Sequence, residues 1–168
     1  MRNLPFFFVL ALFGSAFLSF SIQPILGKML LPMVGGAPAG WIVALALFQL
    51  SLLAGYGVSY VLGRVSPWMH STGLLLLYAV GWIYMPPHLE VVHSDTHGIA
   101  LSLSVLRALF HTIFVPFLAL TATTAALQRV FAATTHRTAK DPYYLFVASN
   151  IGSFLGLLLY PFLLEPRI

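Results

Sequence analysis

The chain has 168 residues, of which 60% are hydrophobic and 7% are charged, and its mean hydropathy is +0.94. Soluble domains carry about 25% charged residues, so this chain could not cover a water-facing surface and is interpreted as an integral membrane protein. Its net charge of +4 comes from single basic residues between apolar blocks, which argues against nucleic-acid binding, and the absence of cysteine excludes disulfides and thiolate chemistry.

Five segments resemble membrane-spanning helices, which need about 20 mostly apolar residues. In chain order they cover residues 4–26, 41–62, 71–85, 99–127 and 144–164. The first is longer than the roughly 7–15-residue core of a signal peptide and is predicted to be retained. The sequence therefore predicts an all-α fold, a transmembrane helix bundle of about five spans, in a single integral membrane domain over residues 1–168.

Small residues recur every four positions in the second and fifth segments, and residues four apart share a helix face. These packing residues are Ser51, Gly55, Ser59 and Gly63 in the second segment, and Ala148, Gly152 and Gly156 in the fifth, with Ser149 and Ser153 in a neighbouring row. Such rows let another helix approach closely, which drives association in lipid. At the start of the fifth segment, Asp141 is predicted to cap the helix and Pro142 to occupy its first position.

Four polar side chains lie inside the predicted spans and are candidates for a solute path: Gln49, Arg107, His111 and Asn150. An ionisable or amide group inside a span is a functional-site hypothesis. The alternatives are structural. Gln49 and Asn150 could make interhelical hydrogen bonds, and Arg107 could lie near the external end of its helix and extend to the lipid headgroups.

The segment between the third and fourth spans contains His88, Glu90, His93, Asp95 and His97. Imidazoles and carboxylates together could bind zinc or another divalent ion. However, the glutamate of a zinc-hydrolase motif is absent between His93 and His97, so a solvated loop is the preferred interpretation and these histidines are weak metal candidates. We find no phosphate-binding loop and no catalytic motif, and predict no cofactor and no enzymatic activity.

Basic residues predict the orientation. With five spans, Arg2, Arg64, Arg129, Arg137 and Lys140 fall on one side of the membrane, and the remaining three basic residues fall on the other. The side with more Lys and Arg is expected to be cytoplasmic. This places the N-terminus inside and the C-terminus outside in a multi-pass plasma-membrane protein.

The motifs "IQPILGKMLLPMVGGAPAGW", "LTATTAALQRVF" and "DPYYLFVASNIGSFLGLLLYPFLLEP" occur in this order along most of the chain. Together they resemble the membrane domain of bacterial fused major-facilitator/spermidine-synthase-like proteins. Two departures matter. The soluble synthase domain found in many members is absent, so the resemblance implies no aminopropyl transfer. Ala125 also stands where members tend to have proline, which affects the expected local helix geometry.

This resemblance implies a half-transporter-like inner-membrane module. Major-facilitator proteins pair helical units around a site at the membrane midplane, and five helices are too few to enclose a solute path alone. The two small-residue ridges then suggest docking with a second copy or another membrane subunit, so the expected partners are that protein and the lipid bilayer. Two alternatives remain: a non-catalytic subunit or anchor of a larger complex, and a membrane anchor for a separate spermidine-synthase-like enzyme.

Overall fold

The computed structural model describes residues 4–34, 38–85, 87 and 98–167, and these residues form helices joined by short turns. The five α-helices are α1 (Leu4–Val34), α2 (Pro38–Leu62), α3 (Pro67–Ile83), α4 (Ile99–Ala132) and α5 (Tyr143–Leu159). α5 continues into a π-helical turn over Tyr160–Leu164 and a 3₁₀ turn over Glu165–Arg167. No strand occurs among the described residues, so the prediction of an all-α bundle is confirmed.

Two helices end at least five residues beyond the apolar runs predicted. α1 continues eight residues past the predicted end at position 26, because Leu30 and Val34 are buried in the hydrophobic cluster that also contains Leu101 and Val105 of α4. α4 continues to Ala132, and its Phe131 is fully buried in a second cluster, beside Leu12 and Leu145. Tertiary packing therefore sets these two ends.

Four helical stretches are long and apolar enough to cross a membrane: Pro5–Val34, Pro38–Leu62, Ile99–Ala132 and Tyr143–Arg167. α3 has only 17 residues. At about 1.5 Å per residue it is roughly 26 Å long, slightly less than a hydrocarbon core of about 30 Å. α5 has the same length but continues as helical turns to Arg167, so the third predicted span is the shortest continuous helical stretch, as its short apolar run indicated.

The small-residue ridge on α2 packs against α4, and the two helices run in the same direction. A methyl group added at Gly55 would collide with the Thr121 side chain and come within 3.0 Å of the Ala122 nitrogen. One end of the same contact is formed by Gly63, which lies against the guanidinium of Arg129. The ridge is thus a close-packing surface, as predicted, and a helix of the same chain fills it.

The ridge on α5 packs in the same way against α1. A methyl group at Gly156 would lie 2.6 Å from the Phe17 carbonyl oxygen, and one at Gly152 would meet the Phe13 carbonyl. The inference that these ridges await a second copy or another subunit is therefore wrong, because α1 and α4 already occupy both grooves. An assembly with other proteins remains a prediction, but it would have to use other surfaces.

α4 runs opposite to both α1 and α3. Phe8 of α1 lies beside Phe131, with ring centroids 5.1 Å apart, while Gly81 near the end of α3 lies against the middle of α4 at Pro116. Since α1 and α5 are parallel, and α2 and α4 are parallel, chain direction alternates from one helix to the next. α3 nevertheless ends beside the middle of α4, so the alternation gives the direction of the five helices and not a full crossing by each.

Candidate functional site

A small polar cleft lies between α2 and α5, with α1 and α4 forming its floor. Hydroxyl side chains from all four helices line it, and we call it the hydroxyl cleft: Ser19, Tyr56, Thr121, Thr124, Ser149 and Ser153. Among the described residues, no charged side chain lines it. Its volume of about 50 Å³ exceeds the roughly 10–15 Å³ that one water requires. It is thus a site of water or small-ion size, lined by these hydroxyls together with the apolar side chains of Ala16, Phe20 and Leu52.

The helices themselves orient the hydroxyls of the cleft. Ser19 donates to the Ser15 carbonyl at 2.8 Å, and Ser153 donates to the Ser149 carbonyl at 3.0 Å. Thr121 is 3.1 Å from the Leu118 carbonyl of its own helix. A hydroxyl group has one donor hydrogen and two acceptor lone pairs. With the hydrogens directed at backbone carbonyls, these oxygens present acceptors to the cleft.

Hydrogen bonds connect α1 and α4, the two helices that form the floor of the cleft, and also connect α4 to α2. The Ser15 hydroxyl donates to the Leu120 carbonyl at 3.0 Å and lies 2.8 Å from the Thr124 hydroxyl, which links α1 to α4. Thr121 also contacts the Ser51 carbonyl of α2 at 3.4 Å. These bonds hold the floor of the cleft together, while its walls, α2 and α5, pack mainly on α4 and α1 respectively.

The four predicted path residues do not lie in this cleft. Gln49, Arg107, His111 and Asn150 are all exposed on outer faces of the bundle. Arg107 and His111 are in the first half of α4, and the His111 ring contacts Phe110 edge-on. Asn150 follows the cleft residue Ser149 directly in α5. A path through all four would need a second protein, so this role remains a prediction.

The predicted cap of α5 is wrong. Pro142, the residue that precedes the first turn, has no side-chain group to donate or accept a hydrogen bond, and the helix begins at Tyr143. Asp141 lies one position too early. Its backbone N–H donates to the Thr138 carbonyl in the preceding turn, and its side chain is exposed. The first turn of α5 is instead closed by the Leu145 N–H, which donates to the Pro142 carbonyl at 2.9 Å.

The weak metal candidates His88, His93 and His97 lie outside the described residues, together with Glu90 and Asp95. Within the described part of the chain, no three His, Asp or Glu residues come close enough to hold a metal ion.

Two further cavities flank the bundle. One, about 540 Å³, lies where α2 ends, α3 begins and α4 ends; we call it the basic pocket, and Gly63, His70, Leu74, Thr123, Arg129 and Val130 are among its lining residues. The other, about 610 Å³, is an apolar groove between α1, α3 and α4 that includes Tyr78, Trp82 and Pro116.

Sequence reasoning identified the Ser149 and Ser153 row but missed Ser19, Tyr56, Thr121 and Thr124 as parts of one site. In α1 and α4, the spacing of the hydroxyl residues in the sequence did indicate that they share a helix face. Ser15 and Ser19 are four residues apart in α1, and Thr121 and Thr124 are three apart in α4, so each pair lies on one face of its helix. The same periodicity argument that identified the ridges of α2 and α5 would have found them. Periodicity along one helix could not show that the hydroxyl residues of the four helices meet in one cleft.

Comparison of the chain with protein-family models, with curated proteins and with solved structures gives no match.

Proposed function

We propose that the chain is a transporter-like membrane module in which the hydroxyl cleft contacts a small polar solute. The observation that carries the proposal is the convergence of six hydroxyl side chains from four helices in an otherwise apolar bundle. Polar groups inside a membrane are costly and mark solute or ion pathways. Because the hydroxyl oxygens present acceptors, the cleft favours a solute that donates hydrogen bonds.

The depth of the cleft agrees with this role. Arg107 and Arg129 are 22 positions apart in α4, which corresponds to about 33 Å and matches the thickness of the hydrocarbon core. Thr121 lies between them, roughly 21 Å along the helix from Arg107 and about 12 Å from Arg129. The cleft is therefore within the membrane, in the region where transporters hold their substrates.

A second protein is expected to complete the module. Gln49 and Asn150 place amide groups on the outer faces of α2 and α5, within candidate spans. An amide without a hydrogen-bond partner in an apolar medium costs about 2–7 kcal/mol. Protein covering these faces, either a second copy or another membrane subunit, would supply hydrogen-bond partners for the two amides.

For orientation we propose a cytoplasmic N-terminus and an external C-terminus in a bacterial inner membrane. Arg64, Arg137 and Lys140 belong to the turns at the Arg129 end of the bundle, whereas Lys28 and Arg167 belong to the opposite end. The end with more basic residues is expected to face the cytoplasm.

The second candidate function is a non-catalytic subunit of a larger membrane complex. The observation in its favour is that the cleft hydroxyls already donate to carbonyls of the same chain. On this interpretation the hydroxyls only hold helices together, and the exposed amides contact other subunits.

Cysteine accessibility separates the two functions without knowledge of the solute, because the chain has no native cysteine. We expect Ser153→Cys in proteoliposomes to react with a small cationic methanethiosulfonate reagent, which modifies only hydrated thiolates. The matched control is Phe154→Cys, the next residue of α5, whose side chain is 63% exposed on the outer face. It should react far more slowly in lipid.

If Ser153→Cys is as unreactive as Phe154→Cys, no aqueous path wide enough for a small solute reaches the cleft, and the subunit interpretation replaces the transporter proposal. The native mass of the same preparation, measured after gentle solubilisation, shows whether a second copy or another subunit is bound.

A further inference from the structure

The basic pocket has the size and composition of a ligand site. Its volume of about 540 Å³ falls within the roughly 300–1,000 Å³ of small-molecule sites, which are mostly apolar with a few polar groups. Leu74, Ala126, Leu127 and Val130 supply the apolar lining, and His70 and Arg129 are the ionisable residues in it. It lies at the end of the bundle opposite Lys28, separate from the hydroxyl cleft.

Arg129 brings a positive charge to the pocket. Its Nη1 and Nη2 donate to the carbonyls of Tyr60 and Gly63, at 3.3 and 2.5 Å. A guanidinium has five N–H donors, so three remain for a ligand. The only carboxylates in the described part of the chain belong to Asp141 and Glu165, and neither lines the pocket. The pocket therefore has no negative side chain to neutralise Arg129.

His70 is the second observation that indicates a ligand. It lines the pocket from the first turn of α3 and is 9% exposed, and its Nε2 atom is buried without a hydrogen-bond partner among the described residues. A buried polar atom left unsatisfied costs about 1–3 kcal/mol.

We propose that the basic pocket binds the anionic group of an amphiphile, with the apolar lining holding its hydrocarbon part and His70 and Arg129 holding its phosphate or carboxylate. The same chemistry is offered by the headgroup of an anionic membrane lipid and by a soluble phosphorylated compound. Arg129 at this end of the bundle lies about one membrane thickness from Arg107, at the depth where a headgroup would be found.

The test is to titrate the full-length protein in neutral detergent with phosphatidylglycerol, phosphatidylcholine and inorganic phosphate, and to measure binding by native mass spectrometry. Phosphatidylglycerol binding well above phosphatidylcholine supports a lipid headgroup. Binding of inorganic phosphate, alone or in addition, supports recognition of the anion itself. If neither phosphatidylglycerol nor phosphate binds more tightly than phosphatidylcholine, the proposal is overturned.

Substitutions in the basic pocket test whether the anion binds there. His70→Leu should weaken the preferred anion about tenfold, as expected for one hydrogen bond to a charged group, and Leu74→Trp should exclude it by filling the pocket. Leu75→Trp, at the neighbouring residue of α3 whose side chain is 69% exposed and does not line the pocket, is the matched control and should leave binding unchanged. Circular dichroism checks that each variant is folded. Unchanged binding in both pocket variants would overturn the proposal, and this result would not affect the cysteine test of the hydroxyl cleft.

Discussion

At the scale of single residues, glycine decides where helices touch. Gly55 and Gly57 lie two positions apart in α2, yet only Gly55 is buried against α4; a methyl group at Gly57 would meet no atom within 4 Å. The same contrast separates Gly152, in contact with the Phe13 backbone, from Gly14 of α1, which has open space. The sequence alone does not distinguish these glycines. In the structure, Gly55 and Gly152 are in close contact with another helix, whereas Gly57 and Gly14 are not.

We therefore expect Gly55→Ala to destabilise the protein by about 1–3 kcal/mol, the usual cost of overpacking a close contact. Gly57→Ala should be neutral or slightly stabilising, because alanine is the better helix former by up to about 1 kcal/mol. Thermal unfolding in detergent compares the two. Equal melting temperatures for both variants would contradict the packing assigned to the α2 ridge.

At the scale of helices, the end of α2 depends on another helix. The last carbonyls of a helix lack partners within it, and here the guanidinium of Arg129 from α4 donates to those of Tyr60 and Gly63. A cation is favoured at a helix C-terminus. Arg64, just past the helix, instead contacts the Tyr60 ring and hydroxyl. Arg129 thus connects α2 and α4 at Gly63, the last residue of the ridge through which the two helices pack.

Replacing Arg129 by Gln should loosen this end. We expect faster amide hydrogen exchange in the last turn of α2, with a local loss of about 1 kcal/mol for the hydrogen bonds to an exposed charged group. Arg137→Gln, an exposed arginine in the turn between α4 and α5, is the control and should leave exchange in α2 unchanged. The assigned role of Arg129 is wrong if both variants exchange alike.

At the scale of the whole molecule, the bundle is self-packed. α1 and α4 form its centre, α5 covers α1, α2 covers α4, and α3 lies against α4. Each close-packing ridge is filled by a helix of the same chain, while Gln49 of α2 and Asn150 of α5 are exposed. Alternating helix direction places the turn after α2 and the turn after α4 at one end, and Arg167 at the other.

This topology predicts which sites share a side of the membrane. Single-cysteine variants Arg64→Cys and Arg137→Cys should be labelled by a membrane-impermeant maleimide from the same side, and Arg167→Cys only from the opposite side. Labelling of all three from one side would require an even number of crossings between them and would exclude five spans.

The sequence by itself determined the class of the protein and the helical segments, because hydropathy and a four-residue repeat are properties of one helix. It also predicted close contact at Gly55 and Gly152. Only the tertiary structure decided which helix fills each ridge, how far α1 extends beyond Lys28, and that Ser19, Tyr56, Thr121 and Ser153 meet in one cleft. Which helices pack together depends on the complementary shapes of two helix surfaces that are distant in sequence. The residue pattern along one helix describes only one of those two surfaces.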